Sequence, residues 1–482
     1  MLENFMKQDL KKEILSGIVV SIALVPEAIG FAFVLGIDPM VAIYTSIIMG
    51  MVTALAGGRP AMITASTGAI SSVFVTLVTD HGVEYLFYAV MLMGVIQIIL
   101  AKLNIGKLMI LISTPILLGF VNGLAYIVLM AQVGQFYVPG TDQLLQGVDM
   151  LIMIGLVIMT ILLIVFVPKI IKSIPSTLIA IIIGTITALI LEANGFRVYT
   201  VYDYAGTHLS GGLPMPHIPQ VPFNLELLSI ILIPALSAAI VGLIESLLTM
   251  NILDDMTESA GDSQKVGTGL GIANVVSGLF GGMGGCAVLG QSLININNGA
   301  RTYISSFSAA GFLLLFVLFG SSLLELIPLG VLVGIMLVVV YKTFAWESFQ
   351  LHRHADKFDI FVVVLVTVVT MVTHNLATSV ISGVLVSTFK FTWEKSKRIV
   401  IDVKPGNITV EGLIYFATAD TVKKEIKITE DTVIDLSNAK LLDYTAADVL
   451  NSIVERADSH GFVVTLVGLQ PESQEKLDRA KK

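Results

Sequence analysis

VTALAGGRPAMITASTGAISS (52–72) and VSGLFGGMGGCAVLGQSLININ (276–297) share one outline: an apolar helix end, a Gly-Gly turn, and a short segment rich in small residues. The two Gly-Gly turns stand 224 residues apart, Gly57 to Gly281. Working outward, stretches of roughly 20 mostly apolar residues mark candidate membrane spans. They are read near 14–35, 38–57, 62–79, 84–101, 108–132, 149–168, 174–193, 225–252, 266–281, 286–299, 301–320, 326–343, 358–374 and 376–394. The third and tenth are the two short segments, each entered through a glycine-rich turn. Seven spans precede the long loop at 192–224 and seven follow it. An odd number of spans per half turns the second copy upside down. The sequence therefore predicts a 7+7 inverted repeat, 14–193 against 225–394, the plan in which secondary transporters place a site at mid-membrane between interrupted helices.

Composition agrees with this reading. Hydrophobic residues make up 55% of the 482 and charged ones 13%, with a mean hydropathy of +0.88; a water-soluble chain of this length needs far more charge. The net charge of −8 falls in short loops and the last eighty or so residues. A single cysteine, Cys286, excludes an intramolecular disulfide and a cysteine zinc cluster. The opening MLENFMKQDLKKEILSG has no small-residue cleavage site after a short apolar core, so no cleavable signal is expected.

The loops supply an independent test of topology. Lysine and arginine collect in cytoplasmic connections. Lys7, Lys11 and Lys12 precede the first span. Arg59, Lys102 with Lys107, Lys169 with Lys172, Lys265, Arg301, the Lys342/Arg353/Lys357 group and Lys395/Lys397/Arg398 fall in alternate connections, and only Arg197 opposes them. Both termini are expected in the cytoplasm, with residues 1–398 forming the membrane domain.

From residue 404 the texture changes. NITVEGLIYFATA reads as one long strand or a strand pair, DTVKKEIK as a basic helix, and DTVIDLS and FVVTLVGL as strands. Between the last two, LLDYTAADVLNSIVERADSHG is an amphipathic helix with Leu450, Ile453 and Val454 on one face. Strands alternating with helices predict a compact parallel α/β domain over 404–482.

Ionisable groups inside the bilayer are costly, about 2.5–3.5 kcal/mol each, and mark function by default. Glu27 follows Pro26 in SIALVPEAIGFAFVLG, where the proline removes a backbone hydrogen bond. Glu245 lies in a span with Thr249 one helical turn on, on the same face. A carboxylate is expensive to keep charged in a dry setting, so either glutamate could exchange a proton. Glu245 with Thr249 could instead hold sodium; the plain alternative is a glutamate bonded to helix backbone. The short segments carry the second signal. STGAISS and CAVLGQS each predict a half-helix, whose first amides lack internal partners at the positive end of the dipole. Two such ends make an anion site without lysine or arginine, and Ser66 and Thr67 can add hydroxyl donors. The plain alternative is that the small residues simply let helices pack closely. His352 and His354 stand in a loop without partners at metal-ligand spacing, and Asp254 and Asp255 end the Glu245 helix where the dipole disfavours them. No Walker motif, metal centre, cofactor or nucleic-acid signature is found.

VPEAIGFA (25–32), GLIESLLT (242–249) with DDMT (254–257), the block at 271–305 and DLSNAKLLDYTA (435–446) together resemble the SulP family of anion transporters over essentially the whole chain. The resemblance implies fourteen spans in core and gate parts, a cytoplasmic STAS domain open to a protein partner, and a homodimer. It places the anion between the starts of the third and tenth spans, near Thr67, Gly68, Cys286, Ala287, Val288 and Leu289, and puts Glu245 and Thr249 among the coupling-ion residues. In the sodium-dependent bicarbonate branch an aspartate and a tenth-span threonine occupy positions that here are Glu245 and Val288, which favours a proton. Many relatives carry glutamine where Glu27 stands. Thr445 matches a position phosphorylated in related regulatory domains. The expected activity is secondary active, elevator-like transport of sulfate, bicarbonate or a dicarboxylate across the cytoplasmic membrane, proton-coupled, with sodium coupling or an anion channel as alternatives. A nucleobase permease and a membrane-anchored sensor fit less well. An enzyme is not expected, because no nucleophile, base and orienting group stand at workable spacing.

Overall fold

The structure is a computed structural model that describes residues 2–104, 113–170, 175–206, 208–209, 211–353, 355–373, 376–396 and 399–480. Lys107, Lys172, His354, Lys397 and Arg398 lie outside the described residues, as do the openings of the spans read at 108–132 and 174–193 and the side chain of His352. The chain forms two units, Met1–Gly383 and Val384–Lys482.

In the first unit α1 (Leu2–Leu35) and α2 (Pro39–Ala56) lead into a three-residue strand, β1 (Thr64–Ser66), and then α3 (Gly68–His81). α4 (Val83–Lys102), α5 (Thr114–Val133), α6 (Gly147–Ile170) and α7 (Ser176–Ala193) follow. The long loop holds one short helix, α8 (Val201–Ala205), which the sequence reading left without structure. It forms because the Asp203 carboxylate accepts from the Thr200 amide at 2.8 Å, while the Val201 amide donates to Ile327 and its side chain is buried. The second half repeats the order: α9 (Leu225–Thr257), α10 (Ser263–Leu279), β2 (Gly285–Ala287), α11 (Leu289–Asn297), α12 (Tyr303–Glu325), α13 (Leu329–Thr343), α14 (Lys357–Thr373) and α15 (Leu376–Ser396). Every span read from the sequence is thus helical over most of its length. Among the described residues, nine helices are long and apolar enough to cross a bilayer. With 14 and 9 residues, α3 and α11 are too short, each having a strand in place of its first turns.

Helix packing sorts into two groups. α1, α2, α4, α9, α10 and α12 pack on one another, and α5, α6, α7, α13 and α14 form a second set, met by α1 and α3. α4 and α10 approach backbone to backbone, so that a Cβ on Gly94 would come within 2.5 Å of the Gly271 carbonyl oxygen; only glycine lets two backbones touch in this way. α7 turns most of its apolar surface outward, with Ile182, Ile186 and Ile190 exposed, as lipid-facing helices do.

The second unit begins with the last turns of α15 and builds a mixed sheet. β3 (Val400–Lys404) pairs antiparallel with β4 (Asn407–Ile414), and β4 pairs parallel with β5 (Thr432–Asp435) and, further along, with β6 (Ala439–Leu441). β5 in turn pairs parallel with β7 (Val464–Val467). α16 (Ala419–Glu425), α17 (Tyr444–Ser459) and α18 (Pro471–Arg479) complete the unit. The first strand therefore starts at Val400, ahead of the boundary read at 404, and it is the one antiparallel member of the β3–β4–β5–β7 path. Ile408, Val410, Ile434, Leu450 and Ile453 lie in the core, while Val454 is half-buried. Asp443 caps α17 by accepting from the Ala446 amide at 2.9 Å, leaving Thr445 exposed in the first turn.

Candidate functional site

The two short segments meet. β1 and β2 pair antiparallel with Thr64 opposite Ala287, Ala65 opposite Cys286 and Ser66 opposite Gly285. The pairing is tight because Gly285 has no side chain: a Cβ there would drive into the Ala65 carbonyl. Asn274 brackets the same glycine, its Oδ1 accepting from the Gly285 amide at 2.9 Å and its Nδ2 donating to the carbonyl at 3.0 Å. Two residues beyond each strand a helix begins, α3 after Thr67 and α11 after Val288.

Neither beginning is capped by a side chain, whereas α9, α10 and α12 start on Asn224, Asp262 and Thr302. The first intrahelical acceptors serve Ser71 and Ser292, whose amides bond to Thr67 and Val288 carbonyls at 3.0 Å each. Among the described residues, three amides at each start have no acceptor: Gly68, Ala69 and Ile70 on α3, and Leu289, Gly290 and Gln291 on α11. Unpartnered amides at a positive dipole end form a setting for a negative charge. The two ends differ in access. A Cβ on Gly68 would meet the Phe31 ring at 2.9 Å and Val128 at 3.2 Å, while one on Gly290 would meet open space within 4 Å.

Both glutamates are half-buried and point at this construction. Glu245 Oε2 accepts from the Cys286 thiol at 2.9 Å, and the thiol lies 3.1 Å from the Thr67 hydroxyl. Glu27 Oε1 accepts from Gln291 Nε2 at 2.8 Å, and Gln291 sits in the first turn of α11. The other amide atom, Gln291 Oε1, is buried without a partner. The structure thus brings Glu27, Thr67, Gly68, Glu245, Cys286, Ala287, Val288 and Leu289 into one connected region. Thr249 is buried one turn from Glu245 but makes no hydrogen bond to it.

Three expectations change. Ser66, Cys286 and Ala287 belong to strands, so the half-helices start later, at Gly68 and Leu289. Ser66 is not a free donor: its amide donates to Ser46 Oγ at 3.2 Å and its hydroxyl pairs with the same oxygen at 2.9 Å. Asp254 does not merely sit at a disfavoured helix end. Arg59, 4% exposed, bonds to it at 2.7 Å and also reaches the Leu253 carbonyl and Ser259, so the turn after α2 is tied to the end of α9. The sequence reading missed Gln291, which holds Glu27, and Ser246, whose hydroxyl accepts from the Ala287 amide at 3.0 Å. Each is a hydrogen-bonding side chain in an apolar stretch, which is the signal that could have found it.

Comparison with known proteins gives matches along the whole chain. Residues 10–367 match the description "Sulfate permease family" and residues 398–482 the STAS domain. A Bacillus subtilis (strain 168) protein provisionally named sulfate transporter YbaR is 39% identical over 475 residues, covering 97% of this chain and 96% of its own. The bicarbonate transporter BicA of Synechocystis sp. is 26% identical over 523 residues, covering 98% of this chain and 90% of its own. Among solved structures, the transmembrane domain of a cyanobacterial BicA superposes with a TM-score of 0.67 at 27% identity, covering 77% of this chain and 97% of that one. SLC26A9 gives 0.82 at 17% identity over 98% and 87% of the two chains, which is likeness of fold.

Proposed function

Because the chain belongs to the sulfate permease family of multi-pass membrane transporters and ends in a STAS domain, we propose that it is a secondary active carrier of a small oxyanion, sulfate or bicarbonate, held between the starts of α3 and α11 and coupled to a proton. One observation supports this most: a hydrogen-bonded strand pair delivers two uncapped helix starts to one place, with two half-buried carboxylates bonded to that same segment. A helix end stabilises a negative charge by roughly 0.3–1 kcal/mol, and by up to about 2 in a partly buried setting. Two ends therefore suit weak, reversible binding, which a carrier needs.

Charged glutamates beside the same ends compete with the anion. Protonating Glu245 or Glu27 removes that competition, so proton and anion favour each other's binding, and by reciprocity each raises the other's affinity. The Gln291 amide serves Glu27 in either state, donating to the carboxylate or, turned over, accepting from the acid. Sodium coupling is the second reading. The lack of a bond between Thr249 and Glu245, and a valine at the start of α11, favour the proton. The two helix groups, meeting through α1 and α3, fit an elevator-like movement of one past the other. The proposed setting is the cytoplasmic membrane, both termini inside, as a homodimer whose STAS domain docks a protein partner.

Proteoliposomes loaded at high pH test the proposal with labelled sulfate, bicarbonate and fumarate under an imposed proton or sodium gradient. Expected is proton-driven accumulation of one oxyanion, collapsed by an uncoupler. Ohmic currents without accumulation would establish a channel instead. Glu245→Gln is expected to fold and to lose proton-driven accumulation.

A further inference from the structure

From the run of contacts Thr67–Cys286–Glu245 we propose that Cys286 is a positioning residue whose thiol reports the state of Glu245 to the Thr67 hydroxyl at the start of α3. The inference deepens the proposed function and rests on it. Thr67 Oγ1 lies 3.1 Å from Cys286 Sγ, which lies 2.9 Å from Glu245 Oε2. Thr67 and Cys286 are buried, at 3% and 0% exposure, so no bulk water can stand in for a missing partner.

Donor and acceptor capacity fixes the directions. A charged carboxylate only accepts, so the thiol hydrogen must point at Glu245. The thiol hydrogen is then spent, and Sγ can only accept from Thr67. The Thr67 hydrogen faces the sulfur and its lone pairs face away, an orientation that repels an anion. A protonated Glu245 can donate to Sγ. The thiol hydrogen is then free to turn toward Thr67 Oγ1, and the Thr67 hydrogen is released toward the helix start. No proton passes along the chain. The proton that neutralises Glu245 stays there, sulfur and oxygen keep their own hydrogens, and only rotations about Cβ–Sγ and Cβ–Oγ1 occur. One neutralisation thus turns an acceptor into a donor beside the three unpartnered amides of α3.

Besides Glu27, bonded to Gln291 at the start of α11, the other ionisable groups around Glu245 stand mostly toward the ends of their elements. On the elements packed against α9, the ionisable side chains are Cys286 on β2, Asp80 and His81 at the end of α3, Glu84 and Lys102 at the two ends of α4 with Tyr85 and Tyr88 in its first turns, and Lys265 in the first turn of α10; α11 carries none. α9 itself adds Glu226, Asp254 and Asp255 near its ends.

The full chain in proteoliposomes decides the matter. In the native protein the half-saturating anion concentration is expected to fall about tenfold when Glu245 takes its proton, the size of one hydrogen bond to a charged ligand. Cys286→Ser keeps one donor and its lone pairs and retains the shift. Cys286→Ala flattens it to within about twofold. A second readout needs no variant. Cys286 is the chain's one cysteine, so its S–H stretching band is unique in the infrared. The band is expected at lower frequency when the thiol faces the carboxylate and to rise on acidification, with Glu245→Gln holding it high at every pH. A Cys286→Ala protein with the full tenfold shift, or a native band that ignores pH, overturns the relay while leaving the parent reading intact. Proton-driven accumulation surviving Glu245→Gln overturns the parent reading and the relay with it.

Discussion

The starts of α3 and α11 share a backbone and its serine bonds, and differ in the residue that opens each helix, in what covers it and in the turn before it. Each follows its strand by the same interval, and each has a serine one turn in, Ser71 or Ser292, whose hydroxyl donates back to the carbonyl preceding the helix at 2.8 Å. Strand amides on both sides are received by serine hydroxyls from neighbouring helices, Ser46 for Ser66 and Ser246 for Ala287. Yet α3 begins on a threonine and is roofed by Phe31 and Val128, while α11 begins on a valine and faces open space at Gly290. The preceding turns differ too. Arg59 locks the first, whereas Met283, 224 residues on, offers only its amide to Thr45 Oγ1 at 2.8 Å. A repeated scaffold thus has one start that carries a hydroxyl and is held hard, and one that is bare backbone and open; on the proposed function the first would recognise the anion and the second admit it.

That contrast can be broken from its strongest joint downward. Arg59→Leu strands the Asp254 carboxylate and should destabilise the folded protein by about 3 kcal/mol or more, as breaking a buried pair does; Met283→Leu should do almost nothing, and thermal unfolding in detergent compares them. Gly285→Val sets a side chain against the Ala65 carbonyl and is expected to cost about 3 kcal/mol, the top of the overpacking range, with uptake lost alongside the melting temperature. Thr67→Val makes the first start resemble the second. Half-saturation should rise roughly tenfold, about 1.5 kcal/mol, with maximal rate unchanged in initial-rate uptake. Gly290→Ala is the mildest. Stability should stay within about 0.5 kcal/mol, because nothing occupies the space, while the added methyl shifts selectivity toward the smaller of two competing anions.

Much of this architecture was readable from residue order because lipid imposes simple rules. Long apolar runs had to be helices, and the Gly-Gly repeat located the two interruptions. The strand pairing within them was not readable. Three-residue segments such as Thr64–Ala65–Ser66 carry no periodicity, and their partner lies some 220 residues away. Glu27 and Glu245 stood out through the cost of burying charge, but Gln291 and Cys286, which hold them, are uncharged and left no comparable mark. Arg59 read as a loop cation, since burial of a loop residue depends on a distant helix end that order alone does not bring near. In the C-terminal unit the alternation of β and α was plain, while the three-residue β6 carries no periodicity and the early β3 lies ahead of the boundary read at 404.

Because β1 comes from one half of the repeat and β2 from the other, the cross-strand bonds act as a fixed caliper. The two starts cannot be moved apart without breaking this strand pairing. On the proposed function, a solute held between them would travel with them as a single payload, and its permitted diameter would be set by backbone spacing that point changes at the rim can trim but not widen.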